Sequence, residues 1–338
     1  MIKVGLIGCS GHYGFVLEGM RELGEAELRA VAPGCRDEDL SPLLARPEVK
    51  LARPRIYEDY RRMLAEEPLD IVGVDCFFHL HAEVCQAALA HGVAPFCEKP
   101  LALDLASLEI LRARQLDAGL PIGMMLNYRY EPMFRSARQL VASGTIGEVV
   151  LGYAQKSYKL GRRPSIYRRR ETFGGIIPWV GIHAIDWFRW ISGRRYLAVS
   201  ARHANLHAKD YPGLEDQAAC LFELDNGGSA VMSFDYLRPM GAPGHGDDRL
   251  RLVGTHGCLE IRHPEALEVY TNDGPLAVGL ATRPYGPFAD FARAVVDGTH
   301  TCAVSTDDAF DLSEIVLRTR EAADRGLKVV LFDEKVGK

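Results

Sequence analysis

The first 122 residues alternate short β-branched and apolar runs with runs of helical character, and this alternation constrains the fold more than any other feature. The predicted strands are Ile2–Ile7, Leu28–Ala32, Ile71–Val74 and Ala94–Cys97, and the helices predicted to follow them are Phe15–Leu23, Tyr57–Leu64, Ala82–Ala90 and Ala106–Leu116. Strands that alternate with helices are typical of a parallel sheet covered by helices on both faces. We therefore predict an α/β fold with a doubly wound parallel sheet in an N-terminal domain of residues 1–122.

The pattern changes after residue 127, where strands come to dominate. Helices are predicted at Phe134–Ala142 and His183–Ile191, and strands at Val149–Gln155, Ala218–Leu224, Ser229–Phe234, Leu250–Val253, Cys258–Ile261 and Leu267–Tyr270. Asn226-Gly227 lies between two of these strands and favours the tight turn of an antiparallel hairpin. We predict a second domain, residues 123–338, of α+β class with a mostly antiparallel sheet. A helix near 305–325 is expected to pack back on the first domain.

Three glycines follow the first predicted strand, in the segment Gly8-Cys9-Ser10-Gly11-His12-Tyr13-Gly14 that opens the first predicted helix. Glycine permits a tight turn and lets backbone amides approach a pyrophosphate, which then lies at the positive end of the helix. The alternative is a turn whose glycines serve only packing against the sheet. Because the segment joins a strand to a helix, we predict a Rossmann dinucleotide site with contacts from Gly8, Ser10, Gly11, His12, Tyr13 and Gly14.

The second predicted strand lacks the acidic residue that would bind the adenosine ribose. Its end reads Ala32-Pro33-Gly34-Cys35-Arg36, so Pro33 takes the expected acidic position. Arg36 favours NADP if it pairs with a 2′-phosphate, and it has no part in cofactor choice if it is a solvated loop charge. We therefore expect NAD or NADP, with Arg36 as a candidate contact.

Glu98-Lys99-Pro100 follows the fourth predicted strand, at the sheet edge where ligands bind in such folds. Through this motif the chain resembles the Gfo/Idh/MocA family of oxidoreductases, and the resemblance covers essentially the whole sequence. It continues through the helix His81–His91, the segment Asn127-Tyr128-Arg129-Tyr130-Glu131-Pro132, Gly174-Gly175 with Gly181-Ile182-His183-Ala184-Ile185-Asp186, and the last helix ending at Arg325-Gly326.

The resemblance implies that Lys99 lies beside the nicotinamide and that Glu98 touches the nicotinamide ribose. A lysine that is partly desolvated near a cationic ring can act as general acid/base, exchanging a proton with a substrate hydroxyl as hydride moves. The family also uses His183 near the reacting carbon, where a histidine can share the proton or orient the hydroxyl. The structural alternatives are a surface ion pair between Lys99 and Glu98, and a core histidine bonded to a backbone carbonyl.

Further contacts are expected to the cofactor from Cys76, Phe77, His81, Glu98, Lys99 and Asn127, and to the substrate from Lys99, Arg129, Trp179, His183 and Asp186. The chain departs from the family pattern at two positions. Trp179 stands where many relatives have an aspartate, and it either stacks on a sugar ring or packs in the core. Cys76-Phe77-Phe78 replaces a Thr-Pro-Asn turn, which makes the predicted cofactor pocket more apolar. The pair His183 and Asp186 has no evident third ligand, so no metal is predicted.

The formal net charge of -5 opposes a nucleic-acid partner, because such binding rests on lysines and arginines that neutralise phosphates. No apolar run is long enough for a signal segment or a membrane span, so we expect a cytoplasmic protein with no membrane partner. The resemblance implies that the C-terminal sheet is large and open, and that it holds together a homodimer or homotetramer.

These observations predict an NAD(P)-dependent dehydrogenase or reductase that acts on a CH–OH group of a small polyol-like substrate: a sugar, sugar acid or cyclitol. The alternatives are a non-catalytic dinucleotide- or sugar-binding regulator of the same fold, and an enzyme that uses the dinucleotide transiently for elimination or hydrolysis. Net turnover of NADH or NADPH distinguishes the dehydrogenase from the regulator. Product formation without net turnover indicates the transient use.

Overall fold

The computed structural model describes residues 1–283 and 285–331, and the chain forms two compact units. The first unit contains residues 1–127 and 285–313, and the second contains residues 128–283 and 314–331. The last seven positions of the predicted second domain, 332–338, lie outside the described residues.

The helices and strands are numbered in chain order. The strands are β1 (Ile2–Ile7), β2 (Ala26–Ala32), β3 (Arg55–Ile56), β4 (Ile71–Val74), β5 (Ala94–Cys97), β6 (Gly123–Met124), β7 (Val149–Tyr158), β8 (Tyr196–Ala204), β9 (Gln217–Leu224), β10 (Ser229–Asp235), β11 (Gly246–Gly254), β12 (Gly257–His263), β13 (Ala266–Thr271), β14 (Gly274–Leu276) and β15 (Val329–Val330). The α-helices are α1 (Gly14–Leu23), α2 (Ser41–Leu44), α3 (Pro47–Ala52), α4 (Tyr60–Glu66), α5 (His81–Ala90), α6 (Leu105–Ala118), α7 (Pro132–Ala142), α8 (Arg170–Phe173), α9 (Ile182–Ser192), α10 (Pro287–Val296) and α11 (Thr306–Arg325). Short 3-10 helices span Phe78–Leu80, Tyr128–Tyr130 and Ser165–Arg168, and a π-helical turn spans Ile177–Gly181.

Strands β1 to β6 form one parallel sheet in the order β3-β2-β1-β4-β5-β6. The order reverses between β1 and β4, so the loops that follow these two strands open side by side at the carboxyl edge of the sheet. Ligands of doubly wound sheets bind at this edge. The predicted α/β fold with a parallel Rossmann sheet is confirmed.

The core of the first unit includes a helix that is distant in sequence. The rings of Phe288 and Phe291, both on α10, lie 5.4 Å from the ring of Phe96 on β5, and all three are buried with Val4 of β1. Helix α10 was not predicted, and residues 285–313 were expected to belong to a continuous second domain. These residues belong to the first unit because the apolar face of α10 is buried in its core.

Strands β7 to β15 form a nine-stranded sheet in the order β14-β13-β12-β11-β7-β10-β9-β8-β15. The neighbouring strands are antiparallel except for β7 and β10, so the predicted, mostly antiparallel sheet is confirmed. Gly152 of β7 leaves room for helix α9, because a Cβ there would overlap the ring of Phe188. Strand β8 was not predicted, since serine, arginine and histidine interrupt its apolar residues, and β11 begins four residues before the predicted Leu250.

Candidate active site

Two glycines shape the loop between β1 and α1. Gly8 has a φ of +81°, a conformation that favours glycine, and a Cβ there would overlap the backbone of Cys76 after β4. A Cβ on Gly11 would lie 2.6 Å from Glu98 Oε2 and 2.7 Å from Asp75 Oδ1. The glycine loop, residues 8–14, therefore packs directly on the residues that follow β4 and β5.

Glu98 joins the glycine loop to Lys99. Its buried carboxylate accepts hydrogen bonds from the backbone amide of His12 at 2.9 Å, from the backbone amide of Lys99 at 2.8 Å, and from the His12 ring. Burial by itself raises the pKa of Glu98, but the positive charges of His12 and Lys99 and the His12 hydrogen bond outweigh it and lower the pKa to about 2. Lys99 is only 2% exposed, which differs from the solvated surface pair considered as an alternative.

A second buried carboxylate, that of Glu38, ties the glycine loop to the loop after β2. It accepts hydrogen bonds from Ser10 Oγ at 2.5 Å, from the Gly34 amide at 2.8 Å and from the Cys9 amide at 3.3 Å. Burial raises the pKa of Glu38 although these hydrogen bonds oppose the shift. Glu38 is not among the predicted contacts, because it lies beyond the strand end where a ribose-binding acid is expected. Arg36 is exposed on the same loop.

Asp75 follows β4 and lies buried beneath the glycine loop. Within the part of the chain that the structure describes, no side chain donates a hydrogen bond to either oxygen of its carboxyl group, and the backbone amides of Tyr13 and His12 favour its charged form. Burial, followed by the negative charges of Glu98 and Glu38, raises the pKa of Asp75 well above its ordinary value. Asp75 was also not predicted as a site residue, because the position of an aspartate after an apolar strand does not indicate whether it is buried.

The remaining predicted cofactor contacts lie at the start of α1, after β4 and after β6. Cys76 is buried, and its carbonyl lies 3.1 Å from His81 Nε2, while His81 Nδ1 lies 2.8 Å from the Pro100 carbonyl. Burial lowers the pKa of His81, and a neutral imidazole donates to one of these carbonyls at a time. Tyr13 immediately precedes α1, Gly14 has open space at its Cβ position, and Phe77 and Asn127 are partly exposed.

In the second unit, the predicted substrate contacts Arg129 and Asp186 form a buried ion pair. Arg129 Nε and Nη2 donate to Asp186 Oδ1 at 2.9 and 2.6 Å, so each side chain balances the charge of the other. His183 lies in the first turn of α9 and is 4% exposed, with its ring centroid 5.4 Å from that of Tyr128. Trp179 lies in the π-helical turn before α9 and is 8% exposed.

A buried lysine near His183 was not anticipated. Lys156, on β7, donates to Asp248 Oδ2 on β11 at 2.6 Å and to the Tyr128 hydroxyl, and the hydroxyl donates to the same carboxylate oxygen. Lys156 Nζ also lies 4.7 Å from the centre of the Tyr158 ring and 5.4 Å from that of Trp187. Burial lowers the pKa of Lys156 to about 8, although the charge of Asp248 opposes the shift. The only sequence signal was the position of Tyr128 in the segment 127–132.

The first unit fits a dinucleotide on structural grounds. Gly8 and Gly11 leave a backbone cradle in which a Cβ would collide with neighbouring residues, and the cradle leads into the N-terminus of α1. Backbone amides and the helix dipole at such a terminus attract a pyrophosphate. Glu98 and Lys99, directly after β5, lie on the same carboxyl edge of the sheet.

Residues 1–283 and 285–331 contain neither a membrane-spanning helix nor a metal-binding group of side chains. No helix there combines the length and apolar character that crossing a bilayer requires. The same residues contain no group of three or more histidines, cysteines, aspartates or glutamates arranged to hold a metal ion.

Comparison with known proteins first defines the class. Residues 2–120 match the family model described as "Oxidoreductase family, NAD-binding Rossmann fold", so the chain is an oxidoreductase with an NAD-binding domain. Residues 134–260 match the model of the GFO/IDH/MocA C-terminal domain. The chain therefore belongs to the Gfo/Idh/MocA family, and the resemblance stated from its motifs is confirmed.

The similar proteins include named dehydrogenases. D-apiose dehydrogenase of Paraburkholderia graminis is 27% identical over 286 residues, which cover 83% of this chain and 73% of that protein. Inositol 2-dehydrogenase of Rhizobium meliloti is 28% identical over 273 residues, covering 77% of this chain and 81% of the relative. A solved structure from Thermotoga maritima with only a general oxidoreductase description superposes with a TM-score of 0.92 at 40% identity, over 97% of this chain and all of the other.

Proposed function

We propose that this protein transfers hydride between NAD or NADP and a hydroxyl-bearing carbon of a sugar, sugar acid or cyclitol, with Lys99 as general acid/base and His183 assisting. The observation that carries the proposal is the buried link from the glycine loop through Glu98 to Lys99. The His12 amide and the Lys99 amide donate to different oxygens of one carboxylate, at 2.9 and 2.8 Å. The names of the relatives support the substrate class, since apiose is a sugar and inositol a cyclitol.

In this proposal some residues bind the cofactor and substrate, and others transfer the proton. Gly8 and Gly11 admit the pyrophosphate to the backbone, and Glu98 orients the following lysine. When bound, the nicotinamide supplies the hydride acceptor or donor. During oxidation the carbinol hydrogen leaves as hydride, and the hydroxyl proton passes to the Lys99 amine; reduction returns both. His183 is proposed to hold the hydroxyl oxygen. Trp179, Arg129 and Asp186 are proposed to line the substrate-binding site.

The test replaces Lys99 by methionine, which retains much of the aliphatic stem but has no transferable proton. Dinucleotide affinity, measured by calorimetry, should survive, while hydride transfer slows by roughly 10²–10⁴-fold, the usual contribution of a positioned acid/base group. Single-turnover absorbance of the reduced cofactor gives the rate, after a panel of sugars and cyclitols that includes D-apiose and inositols has supplied a substrate.

His183→Ala completes the comparison. It should slow the chemical step less than Lys99→Met if the histidine only orients the hydroxyl, and equally if it carries the proton. A Lys99→Met protein with the wild-type chemical rate would exclude lysine as the proton carrier. A wild-type protein that binds the dinucleotide but turns over nothing in the panel would favour the regulator.

We also propose that the second sheet joins copies of this chain into a homodimer or homotetramer. Tyr153 of β7, Val231 of β10 and Leu221 of β9 are paired in register, and their side chains are 36%, 44% and 48% exposed. Such a row of apolar side chains across three adjacent strands is unusual for a monomer surface, and a second copy can cover it symmetrically. The cytoplasmic location expected from the sequence stays a prediction.

A further inference from the structure

The second unit contains a buried, hydrogen-bonded cluster that the proposed reaction does not use. It consists of Lys156, Asp248 and Tyr128, and it will be called the lysine cluster. Lys156 is completely buried and Asp248 is 5% exposed, whereas Tyr128 is partly exposed. A buried charge pair is costly to desolvate, and its contribution to stability alone is a weak reason for its presence.

Tyr128 connects the lysine cluster to His183. Its hydroxyl accepts a hydrogen bond from Lys156 and donates one to Asp248, so both partners fix the position of the phenol. The ring of Tyr128 contacts the ring of His183. The two ring centroids lie 5.4 Å apart, and the ring planes are at 69° to each other. Any change in the charge of Lys156 therefore acts on a phenol that packs edge-on against the histidine.

We propose that Lys156 is a positioning residue that acts through Tyr128 on His183, so that the protonation of Lys156 sets the orientation and electrostatic environment of the imidazole. The proposal rests on the proposed role of His183 in the reaction. Below the pKa of Lys156 the ammonium neutralises Asp248 and donates to the Tyr128 hydroxyl. Above it the pair carries one uncompensated negative charge, and the phenol loses a charged donor.

The pKa of Lys156, lowered by burial to about 8, makes this switch accessible near neutral pH. Strand β11 contributes Asp248, and Phe234 of β10, the neighbour paired with Lys156, is apolar. The titratable and aromatic groups around the cluster include Tyr128, Tyr158, Trp187 of α9, His183, His245, stacked on Tyr158, and His263, whose ring packs on Tyr128. The charge of Glu131 also acts on Tyr128, and the charges of Arg163 and Lys159 act on His245.

The first experiment needs neither cofactor nor substrate. The ring signal of His183 is followed by NMR from pH 6 to 10 in protein with labelled histidine, and is assigned by its absence in His183→Asn. We expect a step with a midpoint about 8. Tyr128→Phe keeps the ring and the Lys156–Asp248 ion pair but removes the bridging hydroxyl, and it should reduce the amplitude of the step at least twofold.

Two further variants separate positioning from folding. Tyr211→Phe also removes a buried hydroxyl that makes two hydrogen bonds, to Arg163, and it should leave the His183 step unchanged. The double variant Lys156→Met with Asp248→Asn removes both charges together and should abolish the step. A His183 signal without a step near pH 8, or a step that persists in the double variant, would overturn the proposal.

A second measurement uses the substrate found in the panel. Tyr128→Phe should lower kcat by about tenfold, which corresponds to about 1.4 kcal/mol of lost transition-state stabilisation, with the KM for the dinucleotide unchanged. If the NMR step is present but kcat is unaffected, the lysine cluster does not position His183 for catalysis. If His183→Ala itself retains full activity while the NMR step is present, the assignment of His183 to the reaction fails instead.

Discussion

Replacing Gly11 by alanine tests the packing of the glycine loop directly. The added Cβ would lie 2.6 Å from Glu98 Oε2, 2.7 Å from Asp75 Oδ1 and 2.9 Å from Glu98 Cγ, all closer than side chains tolerate. The Glu98 carboxylate cannot move aside cheaply, because it is buried and bonded to the amides of His12 and Lys99. Overpacking of this kind costs about 1–3 kcal/mol.

The expected result has a stability part and a binding part. At roughly 2–4 °C per kcal/mol for a unit of this size, the melting temperature of Gly11→Ala should fall by about 2–12 °C. The dinucleotide dissociation constant should rise at least about tenfold, which corresponds to about 1.4 kcal/mol, because relieving the clash with Glu98 and Asp75 displaces the glycine loop that is proposed to bind the pyrophosphate. Scanning calorimetry and isothermal titration with NADH and NADPH measure the two effects.

The matched control is Gly298→Ala, in the same unit. Nothing lies within 4 Å of the Cβ position at Gly298, so its melting temperature and dinucleotide affinity should match the wild type. If Gly11→Ala behaves like Gly298→Ala in both measurements, the close approach of the glycine loop to Glu98 and Asp75 is wrong. If only the affinity is unchanged, the packing stands and the pyrophosphate lies elsewhere.

Three further predictions concern cofactor choice, acid stability and assembly. Arg36→Glu should reverse any preference for NADP in titrations with both dinucleotides, since a 2′-phosphate would then meet like charge; an unchanged ratio would make Arg36 a bystander. Because the pKa of Glu98 is lowered to about 2, its ionised form stabilises the fold above its ordinary pKa of 4.5, and this contribution is lost as the pH falls towards 2. Urea unfolding between pH 6 and 2 should therefore show a weaker loss of stability in Glu98→Gln, and parallel curves would contradict the shift. Val231→Arg should convert the proposed oligomer to monomer in sedimentation velocity, and a monomeric wild type would contradict the assembly.

Four strand–helix pairs of the first unit followed from the sequence because their signals are local, whereas the short elements β3, β6, α2 and α3 were not predicted. A β-branched run, a glycine turn and a helical run each lie within about a dozen residues, and right-handed βαβ connections allow few arrangements of such units. The same reasoning located the glycine loop and the Glu98-Lys99 pair. The same reasoning did not assign α10 to the first unit, because the sequence of an amphipathic helix does not indicate which core will bury its apolar face.

The partners of the buried charges depended on tertiary structure alone. His12 and Glu98 are 86 residues apart, and Lys156 and Asp248 are 92 residues apart, so no spacing in the sequence links either pair. Glu38 and Asp75 are ordinary acids in the sequence, and they become buried only when the loops after β1, β2 and β4 converge at one sheet edge. The sequence by itself determined which short segments form strands and turns, and where the Glu98-Lys99-Pro100 motif lies, because backbone preferences and periodicity are local. The pairing of distant strands decided which charged groups are buried and which partners they contact. The physical reason is that desolvation depends on everything packed around a group.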